Sequence, residues 1–139
     1  MISRREHVIE WGQCDAAGIV FYPQYYVMFD ACTSLLFERA GWPRATMFRD
    51  FDIHGLPLVE TGAKYAFPLR FGDHVTIETR VAEWKRTSFV VRHDISKDSK
   101  VAVEGTEVRV WAGRHPDDPA RMKSAPIPEE VIRRLSTPD

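Results

Sequence analysis

Between Tyr25 and Phe37 the chain reads as a helix with apolar residues on every side, and no other segment constrains the fold as strongly. Pro23 suits the first turn of such a helix, because its missing N–H would have no helical partner there. Gly41, followed by Trp42-Pro43, ends it. A helix that is apolar all round predicts burial on all sides. In a chain of 139 residues, 44% hydrophobic and 28% charged, that burial implies a sheet wrapped around one central helix.

The second half supplies the sheet. His74 to Trp84 alternates, with Val75, Ile77, Thr79 and Val81 on one face. Thr87 to Ser96 repeats the pattern through Phe89, Val91, His93 and Ile95. Lys97-Asp98-Ser99 turns the chain, and Val101 to Trp111 returns, with a change of phase near Gly105 that predicts a bulge. His7 to Trp11 reads as a first strand and Leu56 to Arg70 as another, bent at Pro68. Arg44 to Ile53 reads as a linking region, Pro116 to Pro119 as a surface loop, and Pro128 to Leu135 as a short terminal helix. No repeat or linker divides residues 1–139, so the class is α+β in a single domain with an antiparallel sheet. The bare outer face of that sheet must meet another subunit or water, which predicts a dimer or tetramer.

A formal net charge of -1 gives no overall field to recruit nucleic acid or an anionic membrane. Cys14 and Cys32 sit in neither a metal-type nor a redox-type spacing and read as free thiols of a reducing compartment. Met1 to His7 turns polar at once, unlike a signal peptide, and the longest uncharged stretch, Ala16 to Phe29, is too short to span a bilayer. The expectation is a cytoplasmic protein. The five histidines (His7, His54, His74, His93, His115) form no metal-binding pattern, and neither a GxSxG elbow, a P-loop nor a dinucleotide fingerprint occurs. No metal and no organic cofactor are expected.

Three groups of residues can carry chemistry. Asp15 lies in a small-residue loop, Gly12-Gln13-Cys14-Asp15-Ala16-Ala17-Gly18, just ahead of the helix. A helix N-terminus presents unpaired N–H groups, here those of Tyr22, Gln24 and Tyr25, with a partial positive charge. A carboxylate beside such donors has what acyl transfer requires: the donors hold a developing oxyanion while the carboxylate attacks or activates water. On spacing alone, Asp15 serves equally well as a cap of its own loop. Asp30 is the only charge between Tyr25 and Phe37, so it either contacts a polar substrate group or is paired by a base or hydroxyl elsewhere, Ser34 being within one turn. Lys85-Arg86-Thr87-Ser88, at a hairpin tip, suits phosphate groups, as it also suits solvent.

The run from Gly12 to Tyr25 resembles the active-site segment of hotdog-fold acyl-CoA thioesterases, and is most similar to their 4-hydroxybenzoyl-CoA thioesterase branch. The likeness extends through Asp30 and through Glu83 to His93, covering most of residues 7 to 112. It implies a five-stranded antiparallel sheet around a long central helix, homodimers that join their sheets and pair into homotetramers, and active sites between protomers. It also implies Asp15 as nucleophile or general base and the Tyr22 N–H as the group that polarises the thioester carbonyl. Asp30 would then meet the para-hydroxyl of the acyl group, and Lys85 and Arg86 the CoA phosphates; Gly18, Tyr25, Thr87 and Ser88 are expected to contact the substrate beside them. Leu56, in Gly55-Leu56-Pro57, and Thr87 depart from the branch's pattern, which bears on the acyl group more than on the reaction. Two other readings stand beside this one. A hotdog hydratase or dehydratase would use a His where this loop has none, and an acyl-CoA binding protein would not turn over.

Overall fold

A computed structural model describes residues 1–138 of the chain. Five strands form one antiparallel sheet: β1 (Ser3–Val8), β2 (Leu58–Tyr65), β3 (His74–Trp84), β4 (Ser88–Lys97) and β5 (Lys100–Val110), in the order β1-β3-β4-β5-β2. The β3–β5 meander follows from alternation. Val75, Ile77, Phe89, Val91 and Ile95 are buried, while Arg4–Glu78, Arg80–Asp94 and Arg92–Glu104 ion pairs lace the opposite face. The bare outer face is thus charged. A two-stranded ribbon, β6 (Ala112–Arg114) with β7 (Met122–Ser124), and a terminal helix complete the chain.

Helix α1 (Pro23–Arg39) begins at the proline and stops before Gly41, whose φ of 106° is reached without strain only by glycine. Its buried residues, Tyr25, Met28, Phe29, Cys32, Thr33, Leu36 and Phe37, follow a 3-1-3-1 spacing and so make a stripe. The expected burial on all sides is therefore not met within one chain. Val27, Asp30, Ala31 and Glu38 lie on an open side, because a single sheet can cover only one face of a helix.

The stripe meets two apolar clusters. One gathers Phe29, Met28 and Tyr25 with Ile9, Leu69, Val75, Ile77 and Ile95. The other gathers Leu36 and Phe37 with Phe89, Val91, Trp111 and the terminal helix residues Val131 and Leu135. Between them runs a polar belt of buried Thr33, Thr79, His93, Glu107 and Arg109.

Several boundaries differ from expectation. The first strand is Ser3–Val8, and Trp11–Gln13 is instead a 3-10 turn held by the Gln13 side chain, whose Oε1 accepts the Glu10 N–H at 2.9 Å. The linking region contains α2 (Arg44–Asp50), ordered by burial of Met47. The strand expected over Leu56 to Arg70 runs only from Leu58 to Tyr65, ending before Pro68. The bulge falls at Ala102, between the pairs Ile95↔Val103 and Ser96↔Val101. Gly105 has a different role: a Cβ there would lie 2.4 Å from the Phe29 ring, so only glycine lets that ring lie flat on the sheet. The terminal helix is α3 (Glu129–Ser136). Both cysteines are free thiols, and among the described residues no helix is long and apolar enough to cross a membrane.

Candidate active site

The Asp15 loop is pinned at both ends. Cys14 bridges Val20, and Ile19 bridges Arg70 just ahead of β3. Gly18, with φ 78°, turns the chain back so that its N–H reaches the Asp15 carbonyl at 2.9 Å, while the Asp15 N–H reaches Ile19 O at 2.9 Å. The Asp15 side chain is exposed. Its Oδ1 accepts the Ala17 N–H at 2.9 Å, so the loop-capping role read as an alternative is one that this oxygen performs. Its Oδ2 has no partner among the described residues. One oxygen orients the carboxylate and the other is left unbonded.

Of the three amides expected at the helix start, two are closed. Gln24 N–H donates to Phe21 O at 2.9 Å and Tyr25 N–H to Tyr22 O at 3.1 Å. The Tyr22 N–H alone of the three has no acceptor among the described residues. It sits at the N-cap, where the helix dipole adds to its pull on an oxyanion. A cleft of about 440 Å³ opens beside it, lined by Ile19, Val20, Tyr22, Tyr25, Tyr65 and Phe67 among others; Asp15 flanks this cleft without lining it. Burial raises the Tyr25 phenol, against a backbone bond from Leu69 that lowers it. Tyr65, although half-exposed, is pushed up to about 12 by partial desolvation and the Tyr26 hydroxyl. Both phenols stay neutral at physiological pH, and the cleft is aromatic and uncharged.

The other expected residues are not gathered here. Asp30 lies eight residues along α1 from Tyr22, roughly 12 Å along the axis. It is half-exposed rather than buried. Its base is Arg109, whose guanidinium donates to Asp30 Oδ1 at 2.9 Å, with Arg44 at 3.8 Å from Oδ2. Ser34 does not reach Asp30 and instead accepts from Arg44 at 3.2 Å. Lys85 and Arg86 are exposed in the β3–β4 turn, without ion-pair partners among the described residues. Thr87 and Ser88 give backbone carbonyls to Trp111 and Lys85. Arg86 faces a cleft of about 740 Å³ that also has Arg114 and Lys123 on its walls. The Asp15 loop bridges Arg70, just ahead of β3, and the basic turn follows the end of that strand, whose length is roughly 33 Å at about 3.3 Å per residue.

Sequence reasoning missed the buried belt. Glu107 Oε1 accepts from His93 Nε2 at 3.0 Å and from the Thr33 hydroxyl, and His93 Nδ1 lies 2.8 Å from Thr79 Oγ1. Arg109 donates to Glu107 Oε2 at 2.6 Å and to Leu56 O at 2.9 Å, while its Nε is buried without an acceptor. Burial alone would raise the Glu107 carboxyl, but the bonds from His93, Arg109 and Thr33 prevail and hold it at about 2. The signal that could have found it is His93, on the inward face of β4 among Phe89, Val91 and Ile95, where a polar ring needs a buried partner. Among the described residues no three metal-type ligands converge.

A profile of the thioesterase-like superfamily matches residues 9–135. The chain belongs to that superfamily. This thioesterase is 35% identical over 135 residues to the 4-hydroxybenzoyl-CoA thioesterase of Pseudomonas sp. strain CBS-3, across 92% of this chain and 93% of the relative. An aspartate-to-asparagine variant of a 4-hydroxybenzoyl CoA thioesterase, solved with 4-hydroxybenzoyl CoA, matches its fold with a TM-score of 0.87 at 31% identity, over 97% of this chain and 99% of that one. A gentisyl-coenzyme A thioesterase matches with a TM-score of 0.81 at 34% identity, over 97% and 100%. The hotdog fold is thereby shown, and the thioesterase is an enzyme of the acyl-CoA-hydrolysing kind.

Proposed function

We propose that this thioesterase hydrolyses an aromatic acyl-CoA, 4-hydroxybenzoyl-CoA or a close relative, to the free acid and CoA, with Asp15 as its working carboxylate. The observation that carries the reading is local: an oriented Asp15 with one free oxygen precedes a helix whose unpartnered first amide belongs to Tyr22. The Tyr22 N–H takes the thioester carbonyl oxygen and holds the charge that develops on it. Asp15 either attacks the carbonyl carbon, forming a mixed anhydride as the CoA thiolate leaves, or removes a proton from the attacking water. Neither route calls for a metal or an organic cofactor. Gly18 lets the loop approach the ester, Tyr25 and its aromatic neighbours receive the ring, and Asp30 accepts a bond from the ring hydroxyl. Lys85, Arg86, Thr87 and Ser88 bind the CoA phosphates. Relatives named for 4-hydroxybenzoyl and gentisyl esters support an aromatic acyl group.

The active unit is a homodimer, with dimers pairing into tetramers in the cytoplasm. The exposed edge strand β2, with Leu58 and Val59 uncovered, and the open side of α1 support it. So does the length of β3, which sets Asp15 and the basic turn of one chain too far apart to grip the two ends of one ester comfortably. A second copy brings its own basic turn and covers Asp15, excluding the water that would weaken every charge in the site.

A panel of 4-hydroxybenzoyl-, benzoyl-, acetyl- and crotonyl-CoA tests the reading by thiol release. The expected kcat/KM on the 4-hydroxybenzoyl ester exceeds that on acetyl-CoA by about tenfold or more. Equal rates on every ester remove the aromatic preference. Ester binding without thiol release makes the chain a binding protein, and water addition to crotonyl-CoA makes it a hydratase.

A further inference from the structure

We propose that Arg109 is a positioning residue for substrate selection: it holds Asp30 in one orientation, with Oδ2 free to accept a hydroxyl of the acyl group. The inference rests on the substrate reading above and adds the device that sets its specificity.

Asp30 is the outer end of a continuous chain of bonds. Thr79 on β3 meets His93 Nδ1 at 2.8 Å, His93 Nε2 meets Glu107 Oε1 at 3.0 Å, Glu107 Oε2 accepts from Arg109 at 2.6 Å, and Arg109 donates to Asp30 Oδ1 at 2.9 Å. His93 is clamped by stacking on Phe29, with ring centroids 4.7 Å apart and planes 13° from parallel. Every member but the last is buried. The Arg109 side chain is 8% exposed, whereas that of Asp30 is 51% exposed. The rigid part of the chain therefore ends on a carboxylate at the open side of α1.

Net stability alone is a weak reason for this arrangement. A buried ion pair is commonly no better than well-packed apolar residues of the same volume. Here it also leaves the Arg109 Nε buried without an acceptor, a deficit that native folds rarely tolerate without a reason. A half-exposed carboxylate gains little from its ion pair. What the arrangement does achieve is geometric. Arg109 is fixed on its other side by Leu56 O at 2.9 Å, so its guanidinium cannot swing, and Asp30 Oδ1 is fixed with it. Arg44, at 3.8 Å, lies beyond hydrogen-bond distance of Oδ2. An ionised carboxylate only accepts, so the free oxygen selects an acyl group that donates, such as a phenol.

The test compares kcat/KM for 4-hydroxybenzoyl-CoA with that for benzoyl-CoA in the wild type, Arg109→Gln, Arg109→Lys and Asp30→Asn. The preference ratio is expected to fall about tenfold in Arg109→Gln, the loss of one well-placed bond to a charged group, whatever turnover change the two esters share. The fall lies mainly in KM for the hydroxylated ester, Arg109→Lys recovers part of it, and adding Arg109→Gln to Asp30→Asn lowers the ratio no further. Should Arg109→Gln fold poorly, the double variant Glu107→Gln/Arg109→Met removes both buried charges together and is expected to lose the same preference. A wild type that prefers the hydroxylated ester and keeps that preference in these variants overturns the role of Arg109 alone. A wild type indifferent to the hydroxyl overturns the role and the substrate reading together.

Discussion

Asp15→Asn is expected to lower kcat on the best acyl-CoA by at least about a thousandfold while the protein melts as the wild type does and still binds the ester. The asymmetry follows from what each oxygen does. Oδ1 accepts the Ala17 N–H, and an asparagine oxygen accepts the same bond, so the loop keeps its shape. The amide nitrogen that replaces Oδ2 neither attacks a carbonyl nor takes a proton from water. Asp15→Ala, by contrast, loses the loop bond as well and is expected to cost some stability in addition. Thiol release under saturating ester reads the effect directly, and an Asp15→Asn enzyme retaining a tenth of the wild-type rate would remove Asp15 from the chemistry. Single turnover in oxygen-18 water then separates the two routes, because label in the Asp15 carboxylate marks an anhydride.

Glu107→Ala is expected to destabilise the fold by about 3–5 kcal/mol, since it strips the buried Arg109 and His93 of their shared carboxylate. For a domain whose whole stability is of order 5–15 kcal/mol, that is a fall in Tm of roughly 10 °C or more. Glu107→Gln is milder, because the amide oxygen still accepts from Thr33. The same carboxylate predicts a pH signature. Its folded value, about 2, lies below the ordinary 4.5, so the unfolded chain binds the proton more tightly. The resulting stabilisation is complete above the ordinary value and is lost as pH falls towards 2. Denaturant titrations at about pH 3 and pH 6 should therefore show a smaller gap between wild type and Glu107→Gln at the acid end. A gap that is independent of pH across that window would mean that the carboxylate does not carry this share of the stability.

What could be read from residues alone was whatever has a local cause. Pro23 and Gly41 bound α1 because one lacks a donor and the other reaches a positive φ. The β3–β5 meander was legible because its side chains alternate over ten or eleven residues. The Asp15 loop stood out through its glycines. Helix α2 did not, because seven residues of mixed character are ordered by burying Met47, a tertiary cause. Nor did the polar belt. Glu107 and Arg109 alternate with Val108 and Val110, and a reader who puts valines inward puts the charges outward. The register shift at Ala102 is what reverses them. The spread of Asp15, Asp30 and the basic turn along one chain was hidden for a different reason: resemblance groups residues by role and carries no distances between them.

The polar belt also bears on how the helix is seated. Greasy contacts on either side of Thr33 would let α1 slide along the sheet by a turn at modest cost, since one aromatic ring fills a hole much as another does. Directional bonds do not slide. Moved by one turn, α1 would bring Phe37 or Phe29 against Glu107 and strand that carboxylate without its hydroxyl partner, so the belt acts as an index pin that admits a single seating. Backbone amides around Thr33 should then exchange with deuterium more slowly than those one turn from either end of α1, and uniform exchange along the helix would show that apolar packing alone sets its place.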